Sequence, residues 1–155
     1  MTPRMIVVTG GAGFIGSNIV ARLTAETAYD VVVCDRLETA DLAKWKNLAK
    51  HSIADFWAPE ELFEQLERHA ERIEAVVHMG AISSTTEPDA DLILRTNFTL
   101  SRDLWDWCAI RDARIAHQSH RSRDRVKLVR RIRSASGSVV DEMAPMCTTA
   151  SIRSA

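Results

Sequence analysis

Met5-Ile6-Val7-Val8-Thr9-Gly10-Gly11-Ala12-Gly13-Phe14-Ile15-Gly16 is the stretch that decides how this chain folds. Its first five residues are an apolar, β-branched run bounded by glycine, the pattern of a strand buried on both faces. Glycines 10, 13 and 16 then fall at G-x-x-G-x-x-G. From Phe14 to Thr27 the residues Ile15, Ile19, Val20 and Leu23 recur at helical spacing, so the glycines occupy a strand-to-helix turn. In such a turn the first glycine permits the bend, and the second lets backbone N–H groups approach a pyrophosphate. The third lets the helix pack against the strand, and the helix N-terminus faces the anion.

The flanking residues agree with this. Val31-Val32-Val33-Cys34 is a second buried strand that ends on Asp35. An acid about twenty residues beyond the glycine turn is placed to accept hydrogen bonds from the adenosine ribose of a dinucleotide. Asp35 favours NAD, whereas Arg36, Lys44 and Lys46 are able to neutralise a 2′-phosphate and favour NADP; both cofactors stay open. Ser52-Ile53-Ala54 is expected as a short third strand, with Asp55 after it, placed to meet the adenine amino group. Pro59-Glu60-Glu61 opens a helix, proline at its first position and acids against the positive end of the dipole, with Leu62, Phe63 and Leu66 as its apolar face. Ala75-Val76-Val77-His78 is a fourth strand. His78-Met79-Gly80-Ala81 then lies at the carboxyl edge of the sheet, where ligands of such folds bind. A long amphipathic helix from Asp89 to about Arg111 carries Leu92, Leu100, Leu104 and Trp107.

Strands alternating with helices over short connections predict an α/β fold: a Rossmann-type doubly wound parallel sheet. It is expected to be incomplete, with about four strands. A fifth is due after Asp112, but only Ala113-Arg114-Ile115-Ala116 begins one before His117-Gln118-Ser119-His120-Arg121. Beyond it the pattern is lost, save for a weak helical stretch from Val126 to Ile132. Residues 1–115 are therefore expected as a partial NAD(P)-binding domain and residues 116–155 as an irregular tail unrelated to it.

Charge marks the same break. Residues 1–110 carry ten basic against seventeen acidic side chains, and residues 111–155 carry ten against four. So abrupt a change, rich in Arg and Ser, is what translation continued out of frame would look like. A hydrophobic share of 46% with 26% charged residues is ordinary globular usage, which excludes a collagenous or fully disordered chain. No run of eighteen apolar residues is present, so no membrane helix is expected. The apolar run after Met1-Thr2-Pro3-Arg4 is too short for a signal peptide. Cys34, Cys108 and Cys147 lie far apart, as in a reduced, cytoplasmic protein. His117 and His120 lack a third ligand at metal spacing, so no metal is expected. The Arg-rich stretch from Arg111 to Arg133 lacks interleaved aromatics, which argues against a nucleic-acid site.

Gly10, Gly13 and Gly16 together with His78-x-Gly80-Ala81 resemble the extended short-chain dehydrogenase/reductase superfamily, its NAD-dependent epimerase/dehydratase branch. Gly80-Ala81-Ile82-Ser83-Ser84-Thr85-Thr86-Glu87, Lys44-Trp45-Lys46-Asn47-Leu48 and Ile53-Ala54-Asp55-Phe56 narrow the likeness to the ADP-glyceromanno-heptose 6-epimerases of lipopolysaccharide core synthesis. The resemblance covers residues 5–115. It implies that Phe14, Ile15, Asp35, Arg36, Lys44, Met79, Gly80, Ala81, Ile82, Ser83 and Asn97 contact the cofactor, NADP in that family. It further implies an ADP-heptose-type nucleotide sugar as substrate, epimerised by transient oxidation. Two departures stand out. The lysine expected just after Asp55-Phe56 is absent, with Pro59 near its place. The acid–base Tyr-x-x-x-Lys pair is absent too, since the single tyrosine, Tyr29, is followed four residues later by Val33. The chain is thus expected to bind a nicotinamide cofactor without catalysing epimerisation. The alternative is a non-catalytic NADP sensor, or a module that joins a partner or itself through an unfinished sheet edge.

Overall fold

A computed structural model of the chain describes residues 4–37, 44–82, 86–117, 127–133 and 139–144, the last two stretches as backbone only. Strand β1 is Met5–Thr9, β2 Asp30–Cys34, β3 Asp55–Trp57, β4 Ile73–His78 and β5 Arg114–His117. All five are joined in parallel, in the order β3-β2-β1-β4-β5. Helix α1 (Phe14–Glu26) follows β1, α2 (Leu62–Arg68) follows β3, and α3 (Ala90–Ile93) and α4 (Leu100–Arg111) lie between β4 and β5.

Alternation along β1 shows why helices must cover both faces. Successive side chains of a strand point to opposite sides. Met5 and Val7 accordingly enter one core with Val32 and Val76 of the neighbouring strands, Leu62 and Leu66 of α2, and Leu104 and Trp107 of α4. Ile6 and Val8 enter the other with Val20 of α1, Val31, Val33 and Leu48. Each fully buried valine of this kind contributes roughly 1.5–3 kcal/mol relative to exposure. Because β1 lies between β2 and β4, the chain winds outward in both directions from the centre. Such a switch point leaves a crevice outside the carboxyl ends of the two central strands.

Several expectations are corrected. The parallel sheet has five strands, not about four: Arg114–His117 pairs fully with Ala75–His78. Asp112, in the left-handed region at φ 53°, ends α4 and turns the chain into this strand. The weak helical pattern from Val126 to Ile132 is not realised: Lys127–Arg133 is strand β6. It pairs antiparallel with β5 and with β7, Val139–Ala144. Seven residues with apolar positions at 128, 129 and 132 satisfy either period. The open edge of β5 and the hairpin partner that follows decide for the strand. The third strand lies three residues later than Ser52-Ile53-Ala54, so Asp55 opens it instead of following it. Parallel pairing of Val32 with Asp55 and Cys34 with Trp57 fixes that register, and the buried Trp57 anchors it.

Pro59–Glu61 forms a 3-10 turn with proline at its first positions, leading into α2. Leu62 and Leu66, one helical turn apart, are buried, whereas Phe63 is displaced to the exposed side. The predicted helix from Asp89 to Arg111 is present, capped by Asp89 Oδ1 accepting from Leu92 N at 2.8 Å. Its course is interrupted by a π-helical turn, Leu94–Thr99. Wide turns of this kind are frequent at functional sites.

Candidate functional site

The glycine turn is built from backbone in close contact. Gly10 has φ +67°, and a Cβ there would lie 2.6 Å from Gly80 N, so the ends of β1 and β4 meet only because Gly10 has no side chain in the way. At Gly16 a Cβ would fall 2.1 Å from Gly10 O, inside the turn itself. Gly13 is the N-cap of α1 in ordinary extended geometry, with Gly13 N donating to Gly10 O at 3.1 Å. The N–H groups of the first helical turn have no carbonyl within the helix and carry the positive end of its dipole. Phe14 and Ile15 in that turn are exposed.

Across the crevice Asp35 is buried and already engaged. Its Oδ2 accepts from Ala12 N at 2.9 Å, and its Oδ1 accepts from Arg36 N at 2.7 Å and from Lys44 Nζ at 2.5 Å. Lys44 Nζ also reaches Arg36 O at 3.3 Å. Arg36 turns outward to an ion pair with Glu60. Lys44 belongs to a 3-10 turn, Lys44–Asn47, whose Asn47 Nδ2 donates to Ala12 O at 2.9 Å. Next to Asp35, burial first and the Asp35 and Glu60 charges second push the Cys34 thiol up to about 12, which keeps it a protonated wall group.

The floor is ordered by a polar chain through the sheet. Gly80 N donates to Thr9 Oγ1 at 3.3 Å, and Thr9 Oγ1 is 2.6 Å from His78 Nδ1. His78 Nε2 is 2.9 Å from Ser101 Oγ, which donates to Asn97 O at 2.9 Å. One assignment satisfies every link: Thr9 O–H donates to Nδ1, and Nε2–H donates to Ser101, leaving a neutral imidazole. Burial, then the neighbouring His117, lowers the His78 pKa to about 4, consistent with that form. Asn97, in the π turn, clamps the strand exit from the other side. Its Oδ1 accepts from Ile82 N at 2.7 Å and its Nδ2 donates to Ile82 O at 2.9 Å.

The result is a crevice of about 510 Å³ lined by Thr9, Gly10, Gly13, Asp35, Lys44 and Met79 to Ile82, with Leu62, Leu92 and Leu100 as an apolar wall. A glycine turn at the N-terminus of α1, an acid and a lysine at one end and apolar surface beside them fit an adenine dinucleotide. Gly10, Gly13, Asp35, Arg36, Lys44 and Met79 to Ile82 all line this crevice. Gly16 supports them by packing and Asn97 by clamping Ile82. Asp55 stands apart, its Oδ2 accepting from Trp57 Nε1 at 2.8 Å, and is not among the described lining residues. Ser83 and His120 lie outside the described residues. Among the described residues no three His, Cys, Asp or Glu side chains gather as metal ligands, and no helix is long and apolar enough to cross a membrane. Motif spacing missed Thr9, Ser101 and the role of Asn47, whose partners lie 69, 23 and 35 residues away in sequence.

Residues 6–136 match the family model described as the NAD dependent epimerase/dehydratase family. The chain belongs to that family. Among relatives in it, the ADP-L-glycero-D-manno-heptose-6-epimerase of Fusobacterium nucleatum is 41% identical over 117 residues, covering 74% of this chain and 35% of the relative. The enzyme of the same name from Nitratidesulfovibrio vulgaris is 42% identical over 118 residues, with 74% and 36% covered. The solved ADP-L-glycero-D-manno-heptose-6-epimerase of Helicobacter pylori superposes with a TM-score of 0.64 at 27% identity, over 76% of this chain and 39% of that one. UDP-glucuronic acid 4-epimerase from Bacillus cereus, solved with NAD, gives 0.60 at 29% identity, over 74% and 39%. The chain spans about a third of the length of the curated relatives it matches.

Proposed function

We propose that the chain is the nicotinamide-dinucleotide-holding part of a nucleotide-sugar epimerase of the ADP-heptose type, and that by itself it binds cofactor without turnover. The observation that carries this is the crevice itself: a glycine turn opened by Gly10 against Gly80, facing the Asp35–Lys44 pair. A bound nicotinamide would supply reversible hydride removal and return at a sugar carbon. Gly13 and the first turn of α1 would hold the diphosphate through N–H groups and dipole. Asp35 would read the adenosine ribose. Lys44, already beside that carboxylate, would meet a 2′-phosphate, which favours NADP, with NAD the alternative.

Catalysis needs in addition a base that takes and returns the sugar hydroxyl proton. Tyr29, the single tyrosine, immediately precedes β2 and packs into the core at the amino edge of the sheet. The crevice lies at the carboxyl edge, a strand of five residues or roughly 17 Å away. Tyr29 therefore delivers no proton there. We place the protein in the cytoplasm, where buried free thiols such as Cys34 and Cys108 persist.

A second reading, a non-catalytic NADP-binding module that associates with itself or a partner, draws on Leu94, Phe98 and Ile110, which are apolar and more than half exposed. The test is titration of the purified 155-residue chain with NADPH and NADH, followed by a turnover assay with an ADP-heptose. Saturable binding of at least one cofactor with no epimer formed is expected. Failure to bind either overturns the site, and turnover by the pure chain overturns the assignment of the missing base.

A further inference from the structure

Ala12, fully buried in the glycine turn, is held by both of its backbone groups. Its N–H donates to Asp35 Oδ2 and its C=O accepts from Asn47 Nδ2. The Lys44 ammonium, three residues before Asn47, returns to Asp35 Oδ1. These bonds close a ring through the phosphate turn, the ribose-reading acid and the lysine. We propose that Asn47 is a positioning residue for cofactor choice. By hanging the Lys44–Asn47 turn from the Ala12 carbonyl, it fixes where the lysine charge stands beside Asp35, and so sets the balance between NADPH and NADH.

An exposed asparagine in a short turn is ordinarily a solvated residue, and Asn47 is exposed. Here its amide instead reaches back 35 residues to a buried turn. Four residues of 3-10 helix have little stability of their own, so the turn is placed by its anchors. On one side the anchor is Leu48, buried with Val8 and Val33. On the other it is the Asn47 bond. Without that bond Lys44 keeps its charge but loses its fixed station, and a 2′-phosphate loses its preformed counter-ion. NADH, which carries no such phosphate, is largely indifferent to this.

The inference rests on the dinucleotide reading of the crevice, and the test separates the two. NADPH and NADH are titrated by nicotinamide fluorescence into the full chain and its Asn47→Asp, Asn47→Ala, Lys44→Met and Asn47→Asp/Lys44→Met variants. Asn47→Asp keeps the shape but cannot donate; Asn47→Ala guards against an effect of the new charge. Both are expected to fold as the parent does. Each single Asn47 variant should weaken NADPH about tenfold and NADH less than about twofold, the size of one lost hydrogen bond to a site-forming group. The double variant should lose no selectivity beyond Lys44→Met, as expected of residues acting through one another. An unchanged NADPH-to-NADH ratio, equal weakening of both cofactors, or additive loss in the double variant overturns the role of Asn47 alone. A parent chain that binds neither cofactor overturns the dinucleotide reading and this inference with it.

Discussion

Replacing Gly13 by aspartate should leave the fold as stable as before or slightly more so while weakening cofactor binding about thirtyfold. Gly13 is the N-cap of α1 at φ −72° and ψ 173°, a conformation open to any residue, and it makes no side-chain cap bond. Aspartate there gains a cap and a favourable dipole contact, together about 0.5 kcal/mol over glycine. A Cβ would lie 3.2 Å from Gly10 O, which asks for a shift of only a few tenths of an ångström. The net expectation is a melting temperature unchanged or higher by about 1–2 °C. Binding moves the other way. A carboxylate about 5 Å from one phosphate charge, at an effective dielectric near 20, costs about 3 kcal/mol. Screening at physiological salt lowers this to about 2 kcal/mol, or roughly a thirtyfold loss of affinity, before any steric exclusion is counted. The assay pairs thermal melts with NADPH and NADH titrations of the parent, Gly13→Asp and Gly13→Ala. The alanine variant carries the same Cβ without charge and should bind within about threefold of the parent. Undiminished affinity in Gly13→Asp would refute the placement of the diphosphate at this helix.

Two further outcomes follow from the geometry. Gly10→Ala sets a side chain at φ +67° and 2.6 Å from Gly80 N, so it should destabilise by about 2–4 kcal/mol, read by urea unfolding; a loss below about 0.5 kcal/mol would contradict the close approach of β1 and β4. His78, lowered from 6.5 to about 4, is neutral in the fold, so the unfolded chain binds the proton first. Its contribution is intact above pH 6.5 and is lost progressively as pH falls toward 4, about 3 kcal/mol in all. His78→Phe should flatten that slope in urea melts taken across the same range, and an unaltered slope would remove His78 as its source.

Local pattern carried the centre of the molecule. Met5 to Gly16 announced strand, turn and helix because each choice is short-range: β-branched residues for a strand buried on both faces, glycine for φ +67°, helical spacing afterwards. The margins were harder. Ile53 drew the third strand three residues too early because one apolar residue among polar ones looks like a core position. The chain does not pair through it; Ile53 N closes a tight turn on His51 O, and pairing with β2 begins as Ala54 N meets Val31 O at 2.8 Å. At 127–133 the deciding partners were an exposed strand edge and a hairpin return, and neither is visible in a seven-residue window. Among site residues, Asp35 and Gly80 were legible from position alone. Thr9, Asn47 and Ser101 were not, since a hydroxyl or an amide acquires its partner only when distant backbone arrives beside it.

Gly10 and Gly80 touch although seventy residues of chain separate them. On the ribosome, where the amino-terminal part folds first, the turn after β1 emerges long before the strand that completes it. Until β4 has been made and delivered, β1 has β2 beside it on one flank only, and the other flank offers bare hydrogen-bonding groups to any passing strand. A nascent chain of this protein therefore passes through a window, from about residue 35 to about residue 80, in which it already displays its glycine signature yet lacks the crevice between β1 and β4.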